Sequence, residues 1–253
     1  MNPKIGILIP TYNRKNLINI AINSILKQTY NNYEICIIDD GSEIPIKNFI
    51  KETEKIKIIT FDKNKGVNAA RNAGIEYFLE SDVNIITFID DDDEFCDNAF
   101  KKFVEDYNKY PNQNWFVYKV KEKTGKNITQ FYTLGELDYL WYFYRIKINR
   151  DAHHFIKKEL LTDIKFTCEF KNGQEWYFWF HLGIKTKMFL INTYISKKEY
   201  LPGGLSDKKT KKEKLRAYYF KQYIMKKFNK SHIKWLLIKN IYFPYKKIKG
   251  YIK

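Results

Sequence analysis

Over its first 107 residues the chain alternates short apolar runs with stretches that carry apolar residues at helical spacing, and few folds accommodate that rhythm. The runs are residues 4–9 (KIGILI), 33–38 (YEICII), 56–61 and 83–89 (VNIITFI). They are short and dominated by branched aliphatic residues, so they read as strands buried on both faces. Residues 16–28, 44–55, 66–79 and 98–107 read as helices, the second the weakest. This alternation predicts an α/β fold with a mostly parallel sheet flanked by helices. In such sheets ligands bind outside the carboxyl ends of the strands. Three polar clusters directly follow strands, at residues 11–14, 39–42 and 90–93, so topology alone gathers them at one edge.

Each cluster has a chemical reading and a plainer one. Four consecutive aspartates, Asp90 to Asp93, repel one another, and a hard divalent cation with oxygen ligands would relieve that repulsion. Mg²⁺ or Mn²⁺ there would bridge to a diphosphate; the alternative is a solvated acidic loop. A carboxylate of Asp39-Asp40-Gly41-Ser42 can accept from a nucleobase N–H or a ribose hydroxyl, or can serve an Asx turn and helix cap. Arg71, on the helix opening at Gly66, can reach a base carbonyl or a phosphate, or pair with one of the aspartates.

As a set, Ile9-Pro10-Thr11-Tyr12-Asn13-Arg14, Asp39-Asp40-Gly41-Ser42, Asn64-Lys65-Gly66 with Ala70-Arg71-Asn72-Ala73-Gly74, and the Asp90-x-Asp92 unit resemble glycosyltransferase family 2. The resemblance covers roughly residues 3–110. It implies a GT-A fold, a nucleotide-sugar donor with UDP the foremost nucleotide, an inverting mechanism and a divalent metal. By the same resemblance Pro10 and Tyr12 flank the base, Asp40 binds its N–H, and Arg71 supports it. Asp90 and Asp91 lie against ribose and metal, and Asp92, with Asp90, ligates the metal. The family's Glu-Asp pair, whose Asp is the general base, corresponds to Gln174-Glu175, which implies Glu175 as base with Glu169 in reserve.

The second half is harder to read. Residues 116–120 and 127–132 look like strands, 137–145 and 174–182 like helices, and 189–195 like a last strand. His153 and His154 are adjacent, so on a strand they cannot share a face, and half-buried hydrogen-bonded histidines are the expectation. Lys197 or Lys198 would contact phosphate. The expected organisation is a glycosyltransferase domain over 1–206, split into a nucleotide-binding half (1–110) and an acceptor half (111–206), then a basic helical tail over 207–253. That tail holds 15 Lys and one Arg against Asp207 and Glu213, net +14, which leaves +2 on residues 1–206. Basic residues interleaved with Tyr, Phe and Trp suit an anionic membrane surface. No nucleic-acid motif accompanies them.

The sequence thus predicts a hexosyltransferase-type enzyme acting on a bacterial surface glycan, such as lipopolysaccharide or capsule, or on a lipid-linked acceptor. It would be cytoplasmic and peripheral on the cytoplasmic face of the inner membrane. Three scattered cysteines (36, 96, 168) argue against a disulfide framework, and no apolar stretch reaches a spanning length. A nucleotidyltransferase would need a glycine-rich triphosphate loop near the first strand, and IPTYNRKN has no glycine. A non-catalytic membrane-bound module is the remaining alternative.

Overall fold

The computed structural model describes residues 2–139, 148–149, 151–170, 173–199 and 219. Seven strands frame the main sheet: β1 (Ile5–Thr11), β2 (Tyr33–Asp39), β3 (Ile56–Thr60), β4 (Ile85–Phe88), β6 (Trp115–Glu122), β10 (Ala152–Lys157) and β11 (Met188–Lys198). Short strands β5 (Glu94–Phe95) and β8 (Gly135–Leu137) join β11, and β7 (Gln130–Phe131) pairs with β9 (Ile148–Asn149) in a separate ribbon. The main order is β3-β2-β1-β4-β10-β6-β11-β5. The four nucleotide-half strands are mutually parallel, and β6 and β11 are parallel to each other. The antiparallel β10, between β4 and β6, makes the sheet mixed.

Helices α1 (Ile18–Leu26) and α3 (Ala99–Lys109) send Ala21, Ile25, Phe100 and Phe103 into one core with Ile5, Ile7 and Ile9. Helices α2 (Val67–Glu80) and α4 (Glu175–Lys185) send Ala70, Phe78, Phe178 and Leu182 into a second core with Leu8, Cys36 and Ile38. The side chains of β1, β2 and β4 alternate between the two cores, which is why these strands read as nearly unbroken apolar runs. Burying the Ile, Leu and Phe side chains among them stabilises the fold by about 1.5–3 kcal/mol each. Gly74 allows the close approach of α2: a Cβ there would lie 2.2 Å from the buried Leu8 side chain.

Residues 44–55 depart from expectation. They hold only a one-turn 3₁₀ helix, Ile46–Asn48. Asp39 takes the Ile46 N–H (2.8 Å), and a Thr53–Ile56 bridge turns the chain into β3 before a second turn can form. A single turn gains too few hydrogen bonds to propagate. In the segment expected to be helical from residue 137, Leu137 instead closes β8, and residues 140–145 lie outside the described residues. The tail over 207–253 also lies outside them, save Tyr219. No helix among the described residues is long and apolar enough to cross a membrane.

Candidate active site

Strand order reverses at β1, with β2 on one side and β4 on the other, and a crevice at such a switch point is where open α/β sheets bind ligands. The polar clusters converge there. Thr11, ending β1, donates its hydroxyl to Asp91 Oδ2 (2.7 Å), just beyond β4. Arg14 Nη1 donates to Asp91 Oδ1 (3.0 Å) and Asp92 Oδ2 (2.7 Å). On the other side of the acidic segment, Lys198 at the end of β11 lies 3.2 Å from Asp93, 3.5 Å from Asp90 and 4.0 Å from Asp151. Arg71 on α2 donates to Asp90 Oδ1 (3.0 Å) and Glu175 Oε1 (3.2 Å), with Phe166 beneath it at 5.4 Å.

The four aspartates therefore divide in two pairs. Asp91 and Asp93 have side chains only 5% and 6% exposed, whereas Asp92 and Asp90 are 16% and 39% exposed. Burial pushes the Asp91 carboxyl up to about 6, although Thr11 and Arg14 oppose it. Burial likewise raises Asp93, against the pull of Lys198. At Asp90 burial also favours the neutral acid, but Lys198 and Arg71 outweigh it and hold the carboxyl well below its ordinary range. Asp91, expected beside ribose and metal, accepts from Thr11 and Arg14 and so ties the end of β1 to the segment after β4.

Asp90 and Asp92 present hard oxygen donors at the open side of the segment. Among the described residues no three His, Cys, Asp or Glu side chains form a metal cage. Mg²⁺-type ions commonly take one or two protein carboxylates and complete their shell with phosphate oxygens and water. This pair fits that chemistry, and Arg14 and Arg71 neutralise the same carboxylates in the structure.

The expected nucleoside contacts fall at neighbouring strand ends. Pro10 lies in register with Ile38, Thr11 with Asp39, and the Asp40 N–H bonds the Thr11 carbonyl (2.9 Å). Tyr12, 42% exposed, lies just past β1. Asp40 is 3% exposed, and its two oxygens accept the Lys65 and Gly66 N–H groups (2.7 and 2.8 Å), which fastens the loop before α2. Asp39 accepts from Ser42 and Ile46, which is the Asx-turn reading. Gly41 is obligatory in this turn: its φ is +75°, and a Cβ would meet the Lys63 carbonyl carbon at 2.4 Å. Arg71, expected against the base, is committed to two carboxylates because α2 carries it between the β4 end and α4.

Glu175 opens α4 as its first residue, with a side chain 43% exposed. Glu169 is exposed in the preceding loop, its N–H on the Thr167 hydroxyl (3.3 Å). His153 and His154 take opposite faces of β10 and are buried rather than half-buried. His153 bonds Thr87 (2.8 Å), and burial pushes it down to about 3. His154 accepts from Trp115 Nε1 (3.0 Å) and stacks on Trp179. Both hydrogen-bond within the cores. Sequence reasoning gave no role to Arg14, Thr11, Asn68 or Asn72. The first two stand inside the motif that ends β1, but their partners lie about 80 residues away.

Solved structures define the class of fold. The sugar-nucleotide complex described as "S. aureus TarS 1-349 in complex with UDP-GlcNAc" superposes with a TM-score of 0.69 at 18% identity, covering 82% of this chain and 62% of that one. The fold is thus mixed α/β of the GT-A type. The family model "Glycosyl transferase family 2" matches residues 6–168, more than half of the chain, and the chain belongs to that family. A Campylobacter jejuni relative, "GalNAc(5)-diNAcBac-PP-undecaprenol beta-1,3-glucosyltransferase", is 29% identical over 202 residues, 75% of this chain and 62% of its own. An Escherichia coli "UDP-Glc:alpha-D-GlcNAc-diphosphoundecaprenol beta-1,3-glucosyltransferase" is 33% identical over 99 residues, 38% of each chain. The chain therefore spans less than two thirds of the length of either relative.

Proposed function

We propose that the chain is an inverting glycosyltransferase that moves a sugar from a nucleotide-sugar, UDP-sugar foremost, to a hydroxyl of a lipid-linked bacterial glycan. The observation that carries this reading is Arg71, which joins Glu175 to Asp90 at the switch point of the sheet. A carboxylate able to take a proton thus lies one guanidinium away from the carboxylate that faces the donor. The acceptor class is taken from the two undecaprenol-linked relatives, and the uridine nucleotide from the name of the Escherichia coli relative.

In this reading Tyr12 and Pro10 line the base and Asp40 shapes the loop that bounds it. Asp90 and Asp92 would hold a divalent cation, which when bound neutralises charge on the departing diphosphate. Glu175 removes the proton from the acceptor hydroxyl as that oxygen attacks the anomeric carbon. Attack opposite the leaving group inverts the anomeric centre, in keeping with the β linkage in both relatives' names. Lys198, above Asp90 and Asp93, leaves a positive group beside the diphosphate.

A donor screen tests the reading. The chain is incubated with Mn²⁺ and a panel of UDP-, GDP-, CDP- and TDP-sugars, with release of the nucleotide as readout. One donor class, the uridine series, is expected to be turned over and to raise the melting temperature. No release and no protection from any of them would end the proposal. The basic tail over residues 207–253 would hold the enzyme at the membrane where a lipid-linked acceptor resides, as its net +14 charge suggests. Flotation with vesicles should show binding that requires anionic lipid and weakens with salt; equal recovery with neutral vesicles removes that part.

A further inference from the structure

Helix α2 carries Asn68, Arg71 and Asn72 at three- and four-residue spacing, so all three lie on one face. All three reach the chain between Phe166 and Glu175, some 94 to 105 residues away in sequence. Asn72 Oδ1 accepts the Phe166 N–H (2.8 Å), and its Nδ2 donates to the Phe166 carbonyl (2.9 Å). The carboxamide thereby replaces a strand partner. Asn68, 1% exposed, donates Nδ2 to the carbonyls of Thr167 (2.8 Å) and Gly173 (2.9 Å), with a longer contact to Phe170 (3.4 Å).

The residues held this way form the entry to α4. Gly173 and Gln174 both have left-handed backbones, φ +76° and +65°. A non-glycine residue there costs about 1–2 kcal/mol, so the conformation persists only where its surroundings enforce it. Asn68 grips the Gly173 carbonyl, two residues before Glu175. Phe166, gripped by Asn72, stacks face to face on Phe178, near the start of α4 (4.0 Å, 4°). Both ends of the segment that aims Glu175 are therefore fixed from α2, the helix whose Arg71 also holds Asp90.

We infer that Asn68 and Asn72 are positioning residues for Glu175: they set the base against the donor site by clamping the entry of its helix to α2. This rests on the reading of Glu175 as the base. Asn68→Asp tests it with almost no change of shape, because it sets a carboxylate oxygen against carbonyls that need a donor. Asn72→Asp removes the donor to the Phe166 carbonyl, and Asn72→Ser is a milder variant should the others fail to fold. Turnover, the donor KM, UDP affinity by calorimetry and the melting temperature are measured for each, beside Glu175→Gln.

The expected result for Asn68→Asp is a kcat lowered about 10- to 100-fold with UDP affinity nearly unchanged, the signature of a displaced reacting group. Asn72→Asp should fall the same way, and Asn72→Ser less far. If turnover stays near wild type in these variants while Glu175→Gln abolishes it, the clamp is not needed and the inference fails. It also fails if UDP affinity falls in step with kcat, since that reports general loss of structure. If Glu175→Gln itself turns over normally, the base has been misassigned, and the inference falls with it.

Discussion

Glu175→Gln should lower turnover by about 10²- to 10⁴-fold, the usual contribution of a positioned general base, while leaving UDP affinity close to wild type. The carboxamide keeps the length and shape of the side chain, and its oxygen can still accept from Arg71, so the Arg71 bridge to Asp90 survives. Only the capacity to take a proton is lost. A loss confined to kcat means that an interaction made in the transition state has gone. Glu169→Gln is the companion measurement. Glu169 is an exposed residue of the loop, and with Glu175 as the base, turnover within about threefold of wild type is expected, as for a surface substitution. The reverse outcome, with Glu169→Gln inactive and Glu175→Gln active, would exchange the two assignments.

Asp92→Asn should reduce kcat/KM by about 10³-fold, because stabilising charge on a departing diphosphate is worth several kcal/mol. The same variant should lose the dependence of nucleotide binding on Mn²⁺. Its fold should survive. Asp92 is the more exposed of the two carboxylates on Arg14, and Asp91 keeps its bonds to Arg14 and Thr11. Thermal unfolding checks that point directly. An Asp92→Asn enzyme with wild-type turnover would favour a non-catalytic role for the acidic segment.

How much of this could be read in the sequence varies with the range of the interaction. The strands β1, β2 and β4 were legible because each is buried on both faces and leaves a nearly unbroken apolar run, and the edge strand β3 was legible from its isoleucines although Lys57 is exposed. Helix α2 was legible from its small residues, and Gly74 lies where Leu8 demands one. The two- and three-residue strands β5, β8 and β9 were not legible, because each exists only where another strand offers a partner, whereas β7 falls inside the strand expected over 127–132 but keeps only Gln130–Phe131 of it. Residues 44–55 failed for a related reason, as Asp39 and the Thr53–Ile56 bridge override a weak local helical preference. The site divides likewise. Its carboxylates stand in motifs at strand ends, but their partners Arg14, Arg71 and Lys198 are fixed by pairing and packing across 77 to 108 residues in two cases and 19 in the third. Sequence order therefore supplied the chemical groups without showing which of them neutralise one another. The buried pair, Asp91 and Asp93, could not be told from the partly exposed Asp90 and Asp92, because four identical residues in a row do not show which side of the segment packs into the protein.

Calorimetric titration of the full chain with UDP, with and without Mn²⁺, tests most directly whether the carboxyl edge of β1, β2 and β4 receives a nucleoside diphosphate. The account predicts saturable heat at one site per chain when Mn²⁺ is present, and much weaker binding after chelation. Absence of heat for UDP and for the other nucleoside diphosphates, in a folded sample with Mn²⁺, would contradict it.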